Sequence, residues 1–271
     1  MVLRKGRLSR LKPRTLALAL ALSVGLPVGA SAYDREDETT GILKRMADYL
    51  AGQNTISAKF DSSIEIITPE LEKIQFNSTG EVLLNRPDKL RLSRSGGNSD
   101  VEILFDGKTV TILGRKLNAF AQIELPGATD QFLEKIRTEY KLYVPGADLL
   151  ITTVFPTLTK DILDAKHIGT AMIRGVECEH LAFRNEDTDW QVWIQKGPQP
   201  IPRKLIITSK AVTGAPQYEL LIDAWRTEVP VKPESFAFTA PAGARKLEFK
   251  ELAALAEVDE VPPGLAVGVV Q

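Results

Sequence analysis

The chain has 271 residues, and its 34 Lys and Arg are balanced by 35 Asp and Glu, so it carries no basic excess of the kind a nucleic-acid binder needs. A single cysteine excludes an internal disulfide. The two histidines, His167 and His180, stand 13 residues apart with no Cys-x-x-Cys or His-x-x-His spacing, so no metal site and no cofactor are expected.

Arg4, Lys5, Arg7, Arg10, Lys12 and Arg14 open the chain as a basic segment free of acids. An Ala- and Leu-rich stretch follows at residues 16–28 and ends in Ala30-Ser31-Ala32, the small-x-small pattern of signal-peptidase cleavage. It is shorter than the roughly 20 residues that span a bilayer. Residues 1–32 are therefore expected to be a cleaved export signal. No Cys follows the apolar stretch to take a lipid anchor, so residues 33–271 are expected to be soluble, in the periplasm of a Gram-negative cell. Loss of the six basic residues leaves this part moderately acidic.

Next, Ile42, Met46, Tyr49 and Leu50 recur at helical spacing, opposite Lys44, Arg45 and Asp48, and Gly52 ends the helix. The period then changes to two. Ile56, Ala58, Phe60, Ser62, Ile64 and Ile66 alternate with Ser57, Lys59, Asp61, Ser63 and Glu65, a long half-buried strand. After the Pro69-Glu70 turn, Ile74, Phe76, Ser78, Gly80, Val82 and Leu84 repeat the pattern until Arg86-Pro87-Asp88 breaks it. Shorter strands are expected over 89–95, through Val101, Ile103 and Phe105, through Val110 and Ile112, and through Ala119, Ala121 and Ile123. The Asp106-Gly107 hairpin signal joins the middle two.

Phe132, Leu133, Ile136 and Tyr140 form the apolar stripe of a central helix, which Pro145-Gly146 interrupts. Residues 147–154 and 158–163 read as two further short helices. A second β block starts near Ile168, with strands at 170–173, 176–184, 190–195, 203–209 and 217–226, and a last short strand at 236–239. Trp190 and Trp193 fall on opposite faces of one strand, and Cys178 reads as a buried thiol. Residues 250–271 read as a frayed helix and a flexible tail. The expected class is mainly β (α+β), one domain over residues 33–249. Its sheet is an incomplete antiparallel β-barrel or strongly curled sheet covered by helices.

The run Gly80-Glu81-Val82-Leu83-Leu84-Asn85-Arg86-Pro87-Asp88-Lys89-Leu90-Arg91 resembles the outer-membrane lipoprotein carriers, the LolA-type periplasmic chaperones. That family shows a similar Arg-Pro run followed by an Asp-Gly-x-x-hydrophobic hairpin, matched by Asp106-Gly107-Lys108-Thr109-Val110. The chain more closely resembles a group of predicted periplasmic proteins of unknown function within that LolA/LolB-like superfamily. The matching residues are Gly175 to Phe183, Asp189 to Ile194, Gly197 and Pro200 to Leu205. The resemblance runs over residues 40–245. It implies an incomplete barrel closed by helices around an apolar cavity for acyl chains. Where the carriers continue with an aromatic and a Tyr-Asp-Pro turn, this chain has Thr111-Ile112-Leu113-Gly114-Arg115-Lys116-Leu117, so another lipid or apolar ligand fits as well as a lipoprotein.

Alternation then nominates the lining of such a cavity: Phe60, Ile64, Ile66, Phe76, Val82 and Leu84, beside Leu90 and Leu92, with Phe132, Ile136 and Tyr140 as the lid. The same residues would equally serve a filled core. Arg86 and Arg91, near the expected mouth, are the candidates for contact with a lipid head group. No Gly-x-Ser-x-Gly, phosphate loop or dinucleotide fingerprint occurs, and no enzyme is expected. The expected function is an exported, monomeric carrier or chaperone for a lipid or acyl chain, with an envelope protein as a further partner. Two alternatives stay open. One is a non-catalytic envelope module with a filled core, and the other a hydrolase using His167 or His180.

Overall fold

The computed structural model describes residues 30–140, 142, 144–249, 251 and 268–269. The expected signal lies outside these residues except for its last three, and so does most of the expected tail. Helix α1 (Ala30–Ala51) buries Ile42, Leu43, Met46, Ala47 and Leu50, one apolar stripe at spacings of three and four. Lys44 and Asp48 pair at 2.6 Å on its outer face. Gly52 donates its N–H to the Asp48 carbonyl at 3.0 Å and closes the helix.

Strands β1 (Thr55–Ile67) and β2 (Lys73–Asn85) pair along their whole length. Ile56, Ala58, Ile64, Ile66, Val82 and Leu84 are buried, as the period of two requires. Strands β3 (Lys89–Gly96), β4 (Asp100–Phe105), β5 (Thr109–Gly114) and β6 (Ala119–Glu124) complete a first antiparallel meander. The chain then crosses through α2 (Thr129–Thr138), a 3-10 turn at Ala147–Leu149 and α3 (Val154–Leu158). A second meander follows in β7 (Asp164–Ile173), β8 (Val176–Arg184), β9 (Thr188–Gln195), β10 (Pro202–Ser209) and β11 (Gln217–Thr227).

The two meanders meet where β11 pairs antiparallel with β1, Ile56 opposite Thr227 and Ile64 opposite Tyr218, with a bulge at Lys59/Phe60. One sheet results, in the order β6-β5-β4-β3-β2-β1-β11-β10-β9-β8-β7, and it is open. Two short strands add to it. β12 (Arg245–Lys246) runs parallel to β6, and β13 (Gly268–Val269) pairs with Ile66 and Ile67 of β1. The inner face of the sheet and the apolar faces of α1, α2 and α3 share one core, with Phe105, Leu84, Leu90 and Ile112 against Phe132, Ile136, Met46 and Leu50. An open, curled antiparallel sheet under helices is the expected architecture.

Several local expectations need correction. β7 begins at Asp164 because a bulge between His167 and Gly169 shifts the parity and hides the alternation before it. No helix covers residues 159–163. α3 lies earlier, with Pro156 in its first turn, where a missing N–H is tolerated, and Asp161, at φ 59°, turns the chain away. Residues 147–153 hold only the three-residue 3-10 turn, and α3 begins at Val154. The strand expected at 236–239 is replaced by a 3-10 turn at Pro233–Phe236. Phe238 packs on Phe120 of β6 with ring centroids 4.9 Å apart, and Phe236 is 3% exposed. This segment covers the outer side of the first meander, and Val101 to Phe105 are accordingly buried on both faces of β4.

Candidate ligand-binding site

The inner face of the sheet is covered by the loop between α2 and α3. Its stretch 144–150 lies on the sheet like a plug. Tyr218 donates to the Pro145 carbonyl at 3.5 Å, and Gly146 takes φ +85° so close to the strands that a Cβ there would stand 2.9 Å from Leu220 Cδ2. Beneath the plug a cavity of about 70 Å³ remains, floored by Ala58, Phe60, Val82, Leu92, Leu220 and Ile222. Above it a second cavity of about 500 Å³ is lined by Leu133, Ile136, Leu142, Val144, Ile151 and Ile207, with Asp130, Arg137 and Asp148 among its polar members. Val144, Pro145, Gly146 and Ala147 line both, so one loop is the wall between them.

The candidate residues divide among these places. Phe60, Val82 and Leu92 come together in the smaller cavity. Ile64, Leu84 and Leu90 belong to the packed core, which Phe76 flanks half-buried. Ile66 is fully buried but apart from that core, where β13 pairs with β1. On the lid side, Phe132 stacks on Phe105 at 4.8 Å, Ile136 lines the larger cavity, and Tyr140 meets Phe249 edge-on at 4.6 Å. Sequence reasoning passed over the contribution of the second meander to the floor. The alternation of Tyr218, Leu220 and Ile222 carried that signal. It also passed over the loop itself, since Val144-Pro145-Gly146 reads only as an interruption.

Arg86 sits at the junction of sheet and cover with its side chain 9% exposed. Its Nε donates to the Gln53 carbonyl at 2.9 Å, and its Nη2 to the Leu50 and Ile151 carbonyls at 3.5 and 3.4 Å. Asp130, at the start of α2, lies 3.8 Å away and accepts from the Thr152 N–H at 2.8 Å. Burial pushes the Arg86 pKa down, and the Asp130 charge opposes this. The guanidinium therefore ties the end of α1, the start of α2 and the crossover loop together, and its donors are engaged within the fold. Arg91 alternates with Leu90 and Leu92, so it stands on the outer face. There it pairs with the buried Glu102, which Arg115 also holds, and donates to the Ser235 carbonyl at 3.2 Å. Neither arginine lines either cavity.

Trp190 is buried and stacks on Phe183 at 4.0 Å, whereas Trp193 stacks on His180 at 4.2 Å on the other face. His167 pairs with Glu179 at 2.8 Å, and neither histidine lines either cavity. Cys178 is fully buried, and burial raises its pKa.

At the larger cavity, burial pushes the Asp148 pKa up, Arg137 at 3.4 Å opposes this, and Glu134 adds to it. Folding therefore disfavours the ionised carboxyl relative to the unfolded chain, an effect that solvent at this half-exposed side chain screens. The neutral form's contribution to stability is complete below the unfolded-state pKa and is lost as pH rises through the raised folded value. Asp148→Asn is expected to gain in melting temperature over the native protein at about pH 7 and to show no gain at about pH 3, read by thermal melts across that range.

An open antiparallel half-barrel with an apolar inner face, a helical cover and a loop dividing two cavities is thus the frame of the candidate site. The chain belongs to the family described as "Predicted periplasmic protein (DUF2092)", which matches residues 39–250. That description places it in the periplasm. No helix among the described residues is long and apolar enough to cross a membrane. No curated protein matches the chain in sequence. Among solved structures it is similar to an uncharacterized conserved protein from Thermus thermophilus, at 12% identity over 78% of this chain and 99% of that one, with a TM-score of 0.47. It is also similar to LprF from Mycobacterium bovis, at 13% identity, 78% and 99% coverage and a TM-score of 0.45. A third is a LolA-superfamily protein from Nitrosomonas europaea, at 11% identity, 74% and 97% coverage and a TM-score of 0.37.

Proposed function

We propose that the protein is exported by residues 1–32 and binds a lipid or another apolar ligand between sheet and cover, as a carrier or chaperone rather than an enzyme. The observation that carries this reading is the plug. A cavity of about 500 Å³ is within the range of ligand pockets, about 300–1,000 Å³, whereas about 70 Å³ is far below it. Since 144–147 form the wall between the two, lifting that stretch merges them into one channel with a polar mouth and an apolar floor at Phe60, Val82 and Leu92. The closed loop is then the ligand-free state, and the ligand takes its place.

Native mass spectrometry of the protein purified from the periplasm tests this reading. A co-purifying lipid, and uptake of a fluorescent acyl probe after delipidation, are the expected results. A delipidated protein that takes up no acyl probe overturns it in favour of a filled-core interaction module. Gly146→Ala tests the plug itself. A side chain at φ +85° is strained, and its methyl group meets Leu220, so the loop is pushed off the sheet. A loss of about 1–2 kcal/mol in stability is expected, together with severalfold faster probe uptake in stopped flow. The same loss with an unchanged uptake rate would mean that the loop is not the gate.

A further inference from the structure

We propose that the ligand is an anionic amphiphile, an acyl chain ending in a carboxylate or a phosphate, and that Arg94 receives its head group. The inference rests on the ligand-binding reading above and names the class of ligand.

Arg94 lies on β3 between Gly80 of β2 and Val101 of β4. It shares the parity of Leu90 and Leu92, and therefore the inner face of the sheet. Among the described residues lining the smaller cavity it is the only one that carries a charge at neutral pH; the rest of the floor is Ala58, Phe60, Val82 and Leu92 with the apolar residues of β11. The row beside it is built to bring an apolar wall up to that charge. Phe60 pairs directly with Gly80, and its ring occupies the space where a Gly80 side chain would stand, 2.2 Å from the position of a Cβ. Only a glycine allows the ring to lie there.

A second donor faces the same cavity. Trp225 of β11 lines it, and its Nε1 is buried with no hydrogen-bond partner among the described residues. An indole N–H can only donate, and a buried donor left unmade costs free energy that an acceptor recovers. A guanidinium fork suits a carboxylate or a phosphate, and the pairing is strongest where water is excluded. A cation and an orphan donor in an otherwise apolar cavity select for a molecule that is oily along its length and bears acceptor oxygens at its end. Neutral hydrocarbon would offer the Trp225 N–H no acceptor and the Arg94 charge no counter-ion.

The test compares palmitate, hexadecyl phosphate and methyl palmitate as competitors of a fluorescent acyl probe on the delipidated, full exported chain, with inorganic phosphate as a further competitor. The two anions are expected to bind at least about tenfold more tightly than the ester. Arg94→Gln is expected to bring them down to the level of the ester while leaving the ester unchanged, and Arg94→Lys to keep part of the preference. Equal binding of acid and ester by the native protein overturns the head-group assignment and leaves the ligand-binding reading standing, and it needs no variant that folds. A preference that survives in Arg94→Gln also overturns it. Competition by inorganic phosphate as strong as that of hexadecyl phosphate overturns the amphiphile in favour of a free-anion site. Failure of all three acyl compounds to bind overturns both readings.

Discussion

Arg86→Ala is expected to lower the free energy of unfolding by about 3 kcal/mol or more, since removing one member of a buried charged network leaves the others unmatched. The substitution would strip the Gln53, Leu50 and Ile151 carbonyls of a donor and leave Asp130 facing a void. These partners belong to α1 and the turn after it, the crossover loop and α2, so the loss is expected to fall on the seam between cover and sheet rather than within either. Denaturant titration reads the stability. Hydrogen exchange reads its location, with the end of α1 and the 151–153 stretch losing protection first. Arg86→Lys keeps the charge but offers a single ammonium in place of a planar fork, so it is expected to recover less than half of the loss. A fall in probe affinity without a fall in stability would place Arg86 at a ligand head group instead.

The second large effect is expected at Phe132→Ala. Phe132 is 1% exposed and stacks on Phe105, itself fully buried, so the truncation opens a cavity between α2 and the first meander. A cost of about 3–5 kcal/mol is expected, of which the aromatic pair contributes about 1 kcal/mol. Phe132→Leu fills most of the space and is expected to cost about 1–2 kcal/mol. The two variants differ in volume rather than polarity. If they prove equally stable, the helix is not held by packing on Phe105, and melting curves of the pair decide it.

The parts of this molecule that could be read from sequence are those with one wet face and one dry face. β1 and β2 are 13 residues each, and their outer sides carry Lys59, Glu81, Ser63 and Gln75. Their parity therefore names the floor residues Phe60 and Val82 directly. The same rule placed Arg91 opposite Leu90 and Leu92, so its outward position was legible too, although its nearness to Arg86 suggested a shared mouth. β4 hides its alternation because a segment more than a hundred residues later covers its outer face. β7 hides it because a bulge adds a residue. The plug could not be read at all. A Val-Pro-Gly stretch says that a helix stops, and only the contact with Leu220 and Tyr218 says where the stretch then lies. Arg94 was in plain view within a regular strand, yet only the fold brings it to the same cavity as the residues of β11.

The seam between β1 and β11 has a consequence for the order in which this protein comes into being. β1 and its partner β11 lie far apart along the chain, with more than 150 residues between Ile64 and Tyr218. The first meander can zip up from its own hairpins, but one flank of β1 stays bare until β11 arrives. A bare strand edge is a template for any other extended segment nearby. Pairing at such sequence separation is also slow, since loop-closure entropy is lost before any contact compensates it. Until β11 docks, the partly folded protein is open to mispairing along that flank, and shielding of the edge in that interval favours correct folding.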